Sequence, residues 1–457
     1  MWRRMTVILL ALAVVFGLSA CGGSKGDSGN SGDSGKGGAA GEAGGTGTAT
    51  AAAAGGDAAS AGGADRNAKI KIRMMTHYTD EARRNLLNDA IAKFKESWPN
   101  AEVVDETTSE YATKEKLEFT SGDGPDFVTV DDLMQQTLNQ GHYLKDLTDM
   151  VQRNDYIGKS VPGAVEFNNL RTPGKFYSIP TLMAPVVIYY NKDIFQELGV
   201  TSPPQSVEEL ESIMDKAKQA GYTPMANAGQ SNMNLMWLAY HLIFNNTNME
   251  DIRQWYYQKS TPDSVKKGFI DAFAKIADWT KKGYLGDPKV MLGVSYDNYI
   301  SNLYAKGTVA MVMDGDWNIA SFMDSGVNTG VFAFPSEYIV NATDSGWALN
   351  ANADETKTAA FEDFVNIFYT QDMVGKFYTA GYTPSVKFDA ANLEAPPLKK
   401  ELQQAVADKK LGYYLDNAVP GLFDSISRTT QELYAGKSTP EQTWDQIQAA
   451  YEKGLTK

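Results

Sequence analysis

Residues 68–75, AKIKIRMM, alternate polar and apolar positions with the period of a half-buried strand. Residues 80–98 then change to helical spacing, with Leu86, Ala90, Ile91 and Phe94 on one side. A strand at 102–105, a helix at 111–120, a Gly/Pro-rich turn at 121–126 and a strand at 127–130 follow. Strand, helix, strand, helix, strand predicts an α/β fold with a parallel sheet covered on both faces. Ligands in such sheets bind beyond the carboxyl ends of the strands. Thr76, His77 and Tyr78 occupy the end of the first strand, and Asp131 and Asp132 the end of the third. Either aspartate serves equally well as a cap for the helix from Leu133.

The run 185–190 is rich in Val and Ile and reads as a buried strand. Asn191 precedes a helix start, which stops at Gly199 and at Pro203 and Pro204. Pro180 and Pro185 bracket residues 181–184, which excludes a helix interior there. The segment suits either a crossing between two lobes or an ordinary loop. Farther on, 206–221 is an amphipathic helix, 222–225 a short strand, 227–234 a polar loop and 237–244 helical. A strand at 309–313 ends in Asp314-Gly315-Asp316-Trp317. Trp279 and Trp444 fall at helical spacing within amphipathic segments and are expected in the core.

The N-terminus carries a different signal. Trp2-Arg3-Arg4 leads an apolar run at 6–16, the length of a signal peptide and short for a bilayer span. The run ends Leu18-Ser19-Ala20-Cys21-Gly22, which resembles the lipobox of bacterial lipoprotein signal peptides. That resemblance implies cleavage before Cys21, lipid on its sulfur, and attachment to the outer face of a bacterial cell membrane. Residues 22–64 are almost entirely Gly, Ala, Ser, Thr and Asp, a flexible tether. Cys21 is the only cysteine, so no internal disulfide forms. The three histidines, His77, His142 and His241, show no metal-ligand spacing. A net charge of −14 argues against a nucleic-acid partner. No cofactor motif stands out: AGKST at 435–439 has Gln431 where a P-loop needs glycine.

Several segments together resemble the extracellular solute-binding proteins of ABC transporters, in their large carbohydrate-binding group. They are SGDGPDF at 121–127, the IP…YYNKDIFQELGV stretch to Val200, AKGTVAM at 305–311 with DGDW at 314–317, GWALN at 346–350 before Ala360, Phe364 and Phe368, and YTPS at 382–385. The resemblance runs from about residue 69 to the C-terminus, in the family's order. It implies a two-lobed periplasmic-binding-protein-like fold of type II, each lobe a mostly parallel sheet flanked by helices. The implied division is a signal peptide at 1–20, a lipidated tether at 21–65, one lobe from 66–182 with 330–388, and a second from 183–329 with 389–457. Pro180–Pro185 becomes the first crossing, and 331–335 a return to the first lobe.

On that template the ligand-binding residues are His77, Tyr78, Asp131, Asp132, Asn232, Asn234, Trp237, Asp314, Asp316, Trp317, Trp347, Tyr382 and Phe423. Asn232 and Asn234 stand where maltose-binding members carry acidic and aromatic groups, so no specific sugar carries over. Acids and amides suit sugar hydroxyls, and aromatic planes suit the C–H faces of a pyranose. The implied protein is a monomer without cofactor or catalytic residues. Its partners are a carbohydrate and a membrane permease. Acids and aromatics also suit a polyamine, and paired acids a glycoside hydrolase.

Overall fold

The structure, a computed structural model, describes residues 64–456 apart from 109, 166–168, 170–171, 173, 259 and 342. The signal sequence, Cys21 and all but the end of the tether lie outside the described residues.

Two sheets organise the chain. The first takes β1 (Lys71–Met75), β2 (Glu102–Asp105), β3 (Phe127–Val130), β4 (Ile179–Met183), β10 (Thr343–Leu349) and β11 (Thr383–Pro384) in the order β11-β4-β10-β3-β1-β2. The second takes β5 (Val186–Asn191), β6 (Thr223–Ala226), β7 (Val309–Gly315) and β8 (Thr329–Phe332) in the order β6-β7-β5-β8. A small parallel pair joins β9 (Tyr338–Val340) to β12 (Lys410–Gly412).

Alternation along the strands explains the layers. Ile72 and Met74 of β1, with Phe127 of β3, pack into one core with Phe361, Phe364 and Trp347. Met75, Val128 and Val130 point the other way, onto Phe119, Leu138 and Leu144. Both faces of the first sheet are therefore covered, as its nearly all-apolar central strand requires. The second sheet has its own core, which includes Trp279 and Trp444.

The sheets are mixed, which corrects the expectation of mostly parallel pairing. Parallel pairs are confined in these two sheets to β1–β2, β1–β3 and β6–β7, while β4, β10 and β11, like β5 with β7 and β8, pair antiparallel. A parallel neighbour needs a crossover helix within its own lobe, which the β1–β3 unit has. β10 instead enters the first sheet from the second lobe, so nothing constrains it to that direction.

The chain passes from one sheet to the other at Ala184 and Pro185, between β4 and β5. The proline-bracketed segment is thus mostly a strand of the first sheet. The expected return at 331–335 falls later: Val331 and Phe332 pair with Tyr189 and Ile188, still in the second sheet. After β11 the helix Pro397–Val406 packs against β8, back on the second side.

Asn191 ends β5 and starts the helix Lys192–Glu197. Its Oδ1 accepts hydrogen bonds from the Asp193 and Ile194 amides at 2.9 and 3.2 Å. Asn191→Ala should cost about 1 kcal/mol, read as a lower urea midpoint at unchanged slope. An unchanged midpoint would remove the cap from the account.

Candidate functional site

A cleft of about 320 Å³ opens where the two sheets face each other. His77, Arg83, Tyr111, Asp131 and Asp132 line it from the first lobe. Ala184 lines it at the crossing, and Met233, Trp237, Trp317, Tyr414 and Asn417 from the second lobe. Asp131 both caps and lines: its Oδ1 accepts from the Met134 amide at 2.7 Å. Asp132 accepts from the Tyr256 hydroxyl at 2.7 Å. Tyr256 belongs to the second core, so this hydrogen bond spans the lobes. His77 is held by Thr129, whose hydroxyl is 2.9 Å from Nδ1 and accepts from the His77 amide at 3.1 Å.

The aromatic wall is built on a buried carboxylate. Trp317 meets Trp237 edge-on, with centroids 5.5 Å apart at 73°. Its Nε1 donates to the Tyr296 hydroxyl at 2.9 Å, and that hydroxyl donates to Asp314 Oδ1 at 2.6 Å. Asp314 also accepts from Tyr299, from Asn318 at 2.9 Å and from the Gly315 amide at 2.7 Å. Burial raises its pKa from 3.8 to about 6, against the opposing pull of these donors. Gly315 leaves room for the indole, since a Cβ there would lie 2.0 Å from the Trp317 ring.

Of the thirteen expected ligand residues, the cleft gathers His77, Asp131, Asp132, Trp237 and Trp317. The others have different work. Tyr78 is buried behind His77, with its hydroxyl 2.6 Å from Ser345 Oγ. Trp347 is wholly buried among Tyr78, Phe364 and Phe368. It lies on a strand between β3 and β4 and shares the core with Leu349. Asn234 bridges main chain, accepting from Ala228 N at 2.9 Å and donating to Met313 O at 2.6 Å. Asn232 takes a left-handed φ of 63° and donates to Ser427 O at 3.1 Å. Tyr382 donates to Asp80 at 2.6 Å. Phe423 packs on the second core.

Asp316 serves the crossing rather than the cleft wall. It accepts from Thr383 Oγ1 at 2.5 Å and lies 3.8 Å from Lys399 Nζ, which donates to the same hydroxyl at 2.9 Å. Thr383 is in the first sheet, so the buried group ties the lobes together. Burial pulls the Lys399 ammonium's pKa down, and the Asp316 charge holds it up.

Residues 89–405 match the model of a bacterial extracellular solute-binding protein. The chain belongs to this family. A multiple sugar-binding protein of Streptococcus mutans is 24% identical over 336 residues, 71% of this chain and 77% of that one. A maltooligosaccharide ABC transporter solute-binding lipoprotein of Streptococcus pneumoniae is 24% identical over 292 residues, 61% of this chain and 64% of its own. A solved chitin oligosaccharide binding protein superposes with a TM-score of 0.72 at 23% identity, covering 85% of this chain and 99% of that one. The solute-binding protein RafE in complex with raffinose gives 0.66 at 20% identity, over 84% and 99%. The two-lobed type II fold is therefore that of a solute-binding family member.

Cleft residues missed from sequence divide into two kinds. Arg83 and Tyr111 sit in the first turns of helices that follow β1 and β2, where the strand-end rule could have placed them. Arg83 is ion-paired with Asp80 and lies over the Tyr78 and Tyr382 rings, so the first-lobe wall is not acid alone. Tyr414 precedes and Asn417 ends a short 3₁₀ turn with no periodic signature.

Asp314 makes stability depend on pH. Between about pH 4 and pH 6 the folded protein holds a proton on Asp314 that the unfolded chain has released. This group's contribution to stability therefore falls as pH rises through that window, by on the order of 2–3 kcal/mol. Urea titrations of Asp314→Asn should show a decline shallower by that amount; superimposable pH profiles would contradict the assignment.

Proposed function

We propose that this chain captures a carbohydrate between its lobes and delivers it to an ABC permease, held at the cell membrane by lipid on Cys21. The observation that carries the reading is the pairing of walls. Trp237 and Trp317 offer aromatic surface from one lobe, and Asp131, Asp132 and Arg83 offer acceptors and donors from the other. A pyranose presents both kinds of surface at once. The volume of about 320 Å³ lies at the small end of ligand pockets. Relatives named for multiple sugars, galactooligosaccharides and maltodextrin support the class.

The mechanism is closure about the crossings. A sugar touching both walls stabilises the arrangement in which Tyr256 reaches Asp132. The permease then reads the closed shape. The protein acts as a monomer and does no chemistry on the sugar. The lipobox supports the anchor, as does the lipoprotein among its relatives. Among the described residues no helix is long and apolar enough to cross a membrane.

Thermal-shift screening with maltotriose, raffinose, chitotriose and xylotriose should find a stabilising sugar by mass action. Trp317→Ala should then weaken its binding about tenfold or more, the loss of about 1.4 kcal/mol of contact, at a melting temperature that shows an intact fold. Unchanged affinity would remove Trp317 from the site. A response to spermidine alone, or shortening of the oligosaccharides on long incubation, would overturn the sugar-receptor reading.

A further inference from the structure

A second cavity, of about 870 Å³, lies on the opposite side of the crossings from the cleft. Two pairs of adjacent residues establish this. Met183 lines the second cavity and Ala184 the cleft; Tyr413 lines the second cavity and Tyr414 the cleft. Successive side chains of an extended chain point to opposite sides. Pro384 and Val386 of the first lobe, and Leu411 and Tyr413 of the second, supply apolar wall.

Its charge is unlike that of the rest of the molecule. The chain carries a net −14, yet none of the described residues lining this cavity is Asp or Glu. Arg253, Lys387, Lys409 and Lys410 all line it. Lys410 and Arg253 are paired outside the wall, with Glu337 at 2.5 Å and with Glu250 at 4.0 Å. Lys387 and Lys409 donate to the neutral main-chain carbonyls of Gly158 and Ser336, at 2.9 and 2.6 Å. The wall also contains unused hydrogen-bonding capacity: Gln403 Nε2 is a buried donor without a partner, able to serve an anion, whereas the unpartnered Asn341 Oδ1 is an acceptor and suits a hydroxyl. An apolar floor, cations without lining carboxylates and the unpartnered Gln403 donor together form a site for a small amphiphile of negative charge.

We propose that this cavity binds a small amphipathic anion, an apolar or aromatic body carrying a phosphate or carboxylate. Phenyl phosphate is the probe, titrated calorimetrically into the full-length protein with inorganic phosphate and benzyl alcohol alongside. Phenyl phosphate should saturate at one per chain, at least tenfold tighter than either control. Arg253→Gln with Lys387→Gln should weaken it at least tenfold without lowering the melting temperature. Should that pair fail to fold, Ala407→Trp, which adds bulk at an exposed lining position, should abolish binding by itself. Phenyl phosphate should still bind Trp317→Ala, which alters only the cleft. No saturable binding, equal binding of either control, or loss in Trp317→Ala would overturn the proposal.

Discussion

Ala184 and Pro185 are the constraint on which the rest depends. β4 is hydrogen-bonded between β10 and β11 in one sheet, and β5 between β7 and β8 in the other. Each strand is locked inside its own sheet, so the chain between them has no slack. The sheets can change their mutual angle only by rotation about this link and the two later crossings. The cleft is the space that such a link leaves on one side. Ala184 is part of its wall, and Tyr414 donates to the Ala184 carbonyl at 3.0 Å. Direct inter-lobe bonds then decide how far the lobes approach, with Asp132–Tyr256 at the cleft and Asp316–Thr383 near the crossing.

Buried polar groups do the positioning. Asp314 has no exposed surface, but through Tyr296 it fixes the edge of the Trp317 ring. A carboxylate in that place is tolerable only because hydroxyl, amide and main-chain donors surround it. The DGDW segment therefore divides its labour. The first aspartate anchors the aromatic wall, the glycine clears space for the indole, and the second aspartate ties the lobes. Only the tryptophan faces the cleft.

Much of this was legible in the sequence, and the limits have physical causes. The alternation and helical spacing of the first 60 or so described residues give β2, β3 and the two helices to within a residue and β1 to within three at its start, because strand and helix periods differ and glycine and proline mark the turns between them. The strand-end rule found His77, Asp131 and Asp132. The family template does not separate Trp317 from Trp347, because one follows and the other lies in an apolar strand and only the packed structure shows which side each ring takes. The same template puts Asn232 and Asn234 in a loop at the cleft, yet polar side chains at a tight turn serve the main chain equally well. Antiparallel pairing of β10 and β11 depends on contacts between segments far apart in sequence, which local periodicity does not encode.

The central claim is that one ligand is gripped by both lobes. Hydrogen–deuterium exchange with and without a stabilising oligosaccharide tests it most directly. The account predicts simultaneous protection of the turn at Asp131–Met134, the helix Met249–Tyr257 and the segment Gly315–Asn318. Protection confined to one lobe, with exchange in the other unchanged, would contradict it.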